Sequence, residues 1–418
     1  MTIASFVSGP IRLATALLLL YLRLRIRYRP RKSVLFVGQA YYNAWYLSRG
    51  LRTIGWRAEV FNWDTNPSSQ IYYHGEDISL MSPALKGTGA KLRFYVHALL
   101  TYDVFHFSNA HGLSFGMEIT FCYFRIPSIQ LIELLRRAGK KIVYSNNGCL
   151  DGVSQSSFRK WQTPPVCDEC RWRAEPSVCS DVRNLTWGAF RNRMADYQCT
   201  IGGNRADYND DPRVHEVPEF YCLDPEVWRP DLPVPATFML PAKPGQVRLY
   251  HAVGNFDTRT DKSGINIKST HIYVPLVRRL QSEGIDVDFV FFSNVPNIDL
   301  RYYQVQADVF LDMLTFGFFG ATAREAMMLG KPVVCYLRPS WLESIRQELP
   351  GYVEELPVVS ATPSTAYETV RALVLDPDLR RRIGEKSRQF ALKWHSSEAG
   401  KRRLNRIYSE LLGISNQA

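Results

Sequence analysis

Two successive trains of short apolar strands, each strand followed by a stretch of helical spacing, occupy most of this chain, and a proline-dense segment separates them. A strand that returns through a helix to pair with the next must build a parallel sheet with helices on its faces. In the first train Ser33–Gly38 reads as a buried strand ending in glycine. Ala44, Leu47, Leu51 and Ile54 then share one helical face, and 57–61 reads as a strand. The rhythm recurs as a strand at 102–108, a helix near 127–138 and a strand at 140–146. It restarts with strands at 247–255, 286–294, 307–314 and 332–337, a helix at 270–284, and a helical end over 375–413. The stretch between the trains, "RPDLPVPATFMLPAKPG" (229–245), reads as a linker. The expected organisation is a separate N-terminal segment 1–32, an α/β domain 33–228, the linker 229–245, a second α/β domain 246–395 and a C-terminal helix 396–418. Ligands of such domains sit beyond the strand carboxyl ends, in the cleft between them.

Charge narrows the partners. The chain carries 51 Lys and Arg against 40 Asp and Glu, but residues 1–32 hold seven basic residues and no acid. The body is therefore nearly balanced, which argues against a nucleic-acid partner. The excess flanks an apolar run: "IASFVSGPIRLATALLLLYL" (3–22) is followed at once by "RLRIRYRPRK". The run is about long enough to reach across a bilayer. It is compromised by Gly9-Pro10 and Arg12, and the positive charge follows it, unlike a signal peptide. An anionic membrane surface is the expected partner, with the body on the cytoplasmic face of the cell membrane by the positive-inside rule. Spanning, re-entrant and interfacial placements all remain open, as does a helix packed on the body.

Three pieces of the second domain could converge on a diphosphate. One is the polar loop after the first strand, with Arg259, Lys262 and Lys268. Another is Asn294 at the end of the strand 286–293. The third is "GFFGATAREAMMLGKPVV" (317–334), a glycine-bearing loop running into a helix. Cations and a helix N-terminus in one crevice bind phosphate. Glu325, in the helix's opening turns, could accept a ribose diol's hydrogen bonds, or simply complement the helix dipole. There is no G-x-G-x-x-G after the first strand and no Walker sequence, which disfavours a dinucleotide oxidoreductase and a P-loop enzyme. Asp286-Val287-Asp288 opens a strand and reads as strand-edge solvation.

These residues carry a resemblance. "GFFGATAREAMMLGKPVV", "NIKSTHI" (266–272) and "DPEVWRP" (224–230) resemble the signature segments of glycosyltransferase family 4, retaining sugar-nucleotide enzymes of GT-B fold. The resemblance implies two Rossmann-like α/β domains facing across a cleft. It implies donor contacts from Arg259, Lys268, Asn294, Gly317, Phe319, Gly320, Ala321, Thr322 and Glu325: Lys268 on the diphosphate, the loop amides cradling it, Glu325 on the ribose. The family's first glutamate falls here on Gly317, which leaves the sugar open. In "DVFHFSNAHGLSFG" (103–116), His106 matches a histidine that the family places by the reacting carbon, and His111 is nearby. His106, His111 and Glu325 are thus the catalytic candidates. Gly38, Asn43 and Asn147 end strands or open loops at the acceptor edge. The implied activity is retaining transfer of a sugar from a nucleotide-diphosphate donor to a lipid-linked saccharide in cell-surface glycan synthesis, with no cofactor needed for catalysis. The rival reading is a non-catalytic GT-B scaffold in a membrane assembly.

Five of the eight cysteines fall within an insertion, 149–199. Cys149, Cys167, Cys170 and Cys179 have spacing that fits a structural zinc. Free thiols, a redox pair and disulfides are the alternatives, disulfides being disfavoured in a cytoplasmic body.

Overall fold

The computed structural model describes residues 3–38, 41–64, 66–108, 112–121, 124–145, 152–160, 165–200, 205–241 and 243–415. Its first sheet contains β1 (Ser33–Gly38), β2 (Arg57–Asn62), β3 (Ile78–Ser79) and β4 (Val104–Ser108). A hairpin of β5 (Ile119–Phe121) and β6 (Phe124–Ile126) follows, and then the sheet resumes with β7 (Lys141–Ser145), β8 (Tyr197–Thr200) and β9 (Val214–Glu216). The seven strands run parallel in the order β3-β2-β1-β4-β7-β8-β9. The second sheet contains β10 (Val247–Val253), β11 (Val287–Ser293), β12 (Val309–Leu311), β13 (Val333–Cys335) and β14 (Val359–Ser360), parallel in the order β11-β10-β12-β13-β14. Every residue of β1 is buried, as expected for a strand covered on both faces. Each sheet reverses its winding at its first strand, between β1 and β4 and between β10 and β12, and such switch points open a crevice.

The helical end divides at His395-Ser396 into helices Pro377–Trp394 and Ser397–Leu412. The second crosses back to the first sheet, where Gly400 lies so close to Leu47 of helix Tyr42–Arg52 that an added Cβ would meet it at 2.5 Å. Trp56 donates to Asn405 at 2.7 Å across the same seam. The final helix therefore fastens the two domains together.

The N-terminal segment is one helix, Ile3–Tyr28, running through Gly9 and Pro10. Among the described residues no helix is long and apolar enough to cross a membrane. Leu19, Leu22 and Ile26 are buried on the body. Arg25 pairs with the buried Asp103, which also accepts from Lys140 at 3.2 Å and from the Arg31 N–H at 2.8 Å. The alternating arginines are thus not equivalent: Arg25 is an internal anchor.

The cysteine insertion bridges the domains. Val153, Phe158, Val166 and Cys167 form a small apolar cluster with Ile267 and Phe316 of the second domain. Thr315 donates to Glu169 at 2.7 Å, and Arg171 donates to the Asp257 carbonyl at 2.6 Å. The helix Asp181–Met194 within the insertion, and Thr88–Thr101 before β4, were not among the expected elements. Cys167, Cys170 and Cys179 are free thiols, and among the described residues no cluster of three or more His, Cys, Asp or Glu is placed to hold a metal. The fourth expected ligand, Cys149, lies outside the described residues.

Candidate functional site

Between the two sheets' carboxyl edges lies a cavity of about 500 Å³. Three loops of the second domain form one wall. The loop after β10 begins at Asn255, the helix after it at Ser269 and the loop after β11 at Asn294, all with positive φ (55°, 65° and 57°). Non-glycine residues in that region cost free energy and gather where loops are held to a purpose. Each is locked: the Asn255 N–H donates to the Asn294 side chain at 2.8 Å, and the Leu314 N–H donates to Ser269 Oγ at 3.0 Å.

Helix Ala321–Met328 starts at Gly320 on this wall, so its opening N–H groups face the cavity. Lys268 reaches the same point. An added Cβ on Gly320 would meet Lys268 Nζ at 2.9 Å. Both groups are aimed at Asp312, just past β12: Lys268 Nζ donates to Oδ1 at 2.7 Å and the Gly320 N–H to Oδ2 at 2.8 Å. Burial works against the Asp312 charge, but Lys268 and the Gly320 N–H hold its carboxyl below the usual range. The ammonium keeps further N–H bonds for a ligand.

Glu325 is buried and accepts from Asn297 Nδ2 at 2.7 Å and Gln304 Nε2 at 2.6 Å. Burial pushes its carboxyl up against those two hydrogen bonds. One amide on each oxygen leaves acceptor capacity on both, which suits a vicinal diol. The opposite domain supports this arrangement. His74 Nε2 lies 2.9 Å from Asn297 Oδ1, its Nδ1 lies 2.9 Å from the Tyr46 hydroxyl, and its ring stacks on Trp228.

Residues 274–390 match the family described as glycosyl transferases group 1. That match lies within the second domain and supports a glycosyltransferase. The chain's fold is GT-B, shared with three solved structures. A glycosyltransferase from Rickettsia africae ESF-5 is 12% identical with a TM-score of 0.55, covering 92% of this chain and 100% of that one. Sucrose-phosphate synthase from Thermosynechococcus elongatus is 16% identical with a TM-score of 0.55 and the same coverage. Anabaena HepE, solved with UDP-glucose, is 12% identical with a TM-score of 0.52, covering 90% and 99%. No match was found among curated proteins.

The fold brings most of the expected donor residues to one cavity: Arg259, Lys268, Asn294, Gly320, Ala321, Thr322 and Glu325 all line it. Gly317 and Phe319 do not. Gly317 turns the loop at φ 93° and its carbonyl accepts from the Arg338 N–H, while Phe319 is fully buried against Trp341. Their neighbours Phe316 and Phe318 line the cavity instead, on either side of the turn at Gly317. Across the cleft, Asn43 lines the cavity and is buried. Gly38 ends β1 beside Ser108, and it is Ser108 that lines the cavity.

His106 is not placed for the catalytic role expected of it. It is fully buried, 2.5 Å from the Tyr408 hydroxyl and 2.6 Å from Ser145 Oγ, and burial pushes its pKa down to about 3. With both nitrogens engaged it joins the final helix to the first sheet. His111 and Asn147 lie outside the described residues. Asp312, Asn297, Gln304 and His74 went unnoticed in the sequence. The one available signal was Asp312, an acid closing an otherwise apolar strand. Asp286 and Asp288 accept from Gln246 and Arg248, so the D-x-D is a strand-edge feature as expected.

Proposed function

We propose that the enzyme moves a sugar from a nucleotide-diphosphate donor to a lipid-linked saccharide acceptor, with retention of configuration. The observation that carries this reading is the convergence of Lys268 and the Gly320 N–H at the start of helix Ala321–Met328, with Glu325 amide-clamped in the same cavity. The cation and aligned N–H groups stabilise the departing diphosphate, which is where charge develops. Arg259, also on the cavity wall, adds a second cation. Glu325 holds the ribose diol and so fixes the nucleotide's register. This chemistry needs no metal, since protein groups supply the counter-charge. The UDP-glucose bound by the structurally similar HepE is consistent with a sugar-nucleotide donor.

The acceptor is assigned from the N-terminal helix. Leu13, Leu17, Leu20, Leu24 and Tyr28 are exposed at helical spacing, opposite the docked residues, with exposed Arg23 and Arg27 on the flanks. An apolar stripe edged by arginines lies in an interface rather than crossing it. This stripe supports a position on the anionic cytoplasmic leaflet of the cell membrane, within reach of a lipid-linked saccharide.

The experiment is a thermal-shift screen of nucleoside mono- and diphosphates and nucleotide sugars, with Lys268→Ala alongside. A ligand at 100 times its dissociation constant adds about 2.7 kcal/mol. A shift with one nucleotide series, lost in Lys268→Ala, supports the donor site; no shift in folded protein refutes it. Flotation with vesicles tests the membrane contact: binding to anionic but not zwitterionic vesicles is expected, lost in a Leu17→Glu/Leu20→Glu variant. Metal analysis tests the structural zinc proposed for Cys149, Cys167, Cys170 and Cys179, and under about 0.2 zinc per chain dismisses it.

A further inference from the structure

Among the described residues, the cavity contains a buried charge with no partner. Arg324 lines it and is 3% exposed. Among the described residues its guanidinium has no carboxylate and no hydrogen-bond acceptor, and its buried Nε is unsatisfied. Its neighbours are rings: the guanidinium carbon lies 5.1 Å from the Tyr221 ring centre and 5.0 Å from that of Phe319. The acid that lines the cavity, Glu325, is already engaged by Asn297 and Gln304, and Asp312 by Lys268 and Gly320. A buried guanidinium held only by aromatic faces is costly, because cation–π contact replaces little of the lost hydration. Other buried cations here have acceptors: Arg25 and Lys140 pair with Asp103, and Arg191 donates to the Tyr208 carbonyl and the Asn209 side chain.

Side chains of a helix lean toward its N-terminus. Arg324 is the fourth residue of helix Ala321–Met328, and its contact with Phe319 shows the guanidinium doubling back beside the helix start. Arg324 and the Gly320–Thr322 helix start line the same cavity, with the guanidinium beside Tyr221 and Phe319 and Lys268 against Gly320. A planar fork of N–H donors beside amides at a positive helix end matches an oxyanion.

We propose that Arg324 is an oxyanion seat, a further substrate-binding residue whose counter-ion is supplied only by the bound substrate. This inference rests on the donor-site reading above. The shared chemistry is a planar or tetrahedral oxyanion; its two sources are the donor diphosphate and a carboxylate on the transferred sugar. The apo protein carries the uncompensated charge, and the ligand neutralises it, so part of the binding energy is stored in the unliganded fold.

The test uses the full chain and compares wild type, Arg324→Leu, Arg324→Lys and Lys268→Ala. Thermal unfolding without ligand is measured first, then calorimetric affinity for nucleoside mono- and diphosphates, UDP-glucose and UDP-glucuronate. Removing a buried unpaired charge in favour of an apolar side chain removes its desolvation cost. Arg324→Leu is therefore expected to unfold about 2 °C or more above wild type. It is also expected to bind its ligand about tenfold or more weakly, the scale of one charge-assisted contact. Arg324→Lys, with charge but no fork, falls between. A loss seen with diphosphates assigns the seat to the diphosphate; a loss seen only with UDP-glucuronate assigns it to the sugar carboxylate. Unchanged affinity for every ligand in Arg324→Leu overturns the proposal, whatever the unfolding temperature. If Lys268→Ala loses binding while Arg324→Leu keeps it, the donor site stands and the seat falls. If wild type binds no nucleotide, the donor reading falls, and inorganic pyrophosphate and free glucuronate become the probes. Stabilisation of wild type but not Arg324→Leu by either then supports the seat, and equal responses overturn it.

Discussion

Two regions of this protein bury an arginine, and they treat it in opposite ways. Under the N-terminal helix, Arg25 meets Asp103, which also takes Lys140 and the Arg31 N–H, so each charge is matched by groups of the protein itself. In the cleft, Arg324 is buried and, among the described residues, meets only the faces of Tyr221 and Phe319. A charge matched internally holds a helix in place and is indifferent to ligand. A charge left unmatched weakens the fold and waits for a counter-ion. The difference separates an anchor from a site.

The sharpest way to break the comparison is to create the cleft's condition at the anchor. Asp103→Ala leaves Arg25 and Lys140 buried without an acid, and should cost about 3–5 kcal/mol in chemical denaturation. Arg324→Leu should change stability in the other direction. If both destabilise alike, the distinction between anchor and site fails. Next in size, Lys268→Ala and Glu325→Ala should each cut turnover at least about tenfold, measured as sugar transfer or donor hydrolysis. Wild-type rates in both would remove the site from this cavity.

A smaller effect is expected from pH. Burial pushes the His74 pKa down to about 4, so the ring is neutral in the fold near pH 7. A group whose folded pKa is depressed below 6.5 leaves the unfolded chain binding the extra proton between the two values. The stability contributed by the neutral ring is therefore full above about pH 6.5 and declines as pH falls toward 4. Unfolding midpoints across that window should fall less steeply in His74→Gln than in wild type. The smallest effect sharpens the contrast with burial: Arg125 and Glu118 form an exposed pair, and Arg125→Ala should leave the unfolding midpoint unchanged.

Much of the donor wall was legible because its parts are local. A strand, a glycine and a helix start lie within a few residues of each other around Gly320, and Lys268 sits just before the helix Thr270–Ser282. Parallel sheet order then carries such loops to one edge. The sequence misled at His106, where a histidine after an apolar strand has the same pattern whether it faces a cleft or a helix from the far end of the chain. It misled at Phe319 and Gly317, where one residue of register decides which side chain enters the cavity. The cysteine insertion was read for its thiols, yet its structural role comes from Phe158, Glu169 and Arg171 reaching the donor loops.

By itself the sequence determined the strand and helix rhythm, the placement of βα loops on the cleft side, and the small residues at a helix start that let backbone amides face a ligand. These follow from periodicity and backbone sterics, which act over a few residues. Only the tertiary structure decided which charges are paired. Arg25 and Asp103 are 78 residues apart, and His74 and Asn297 are 223 apart. Whether a buried charge anchors the fold or awaits a substrate depends on what approaches it within a few ångströms, and that distance is set by packing, not by sequence neighbourhood.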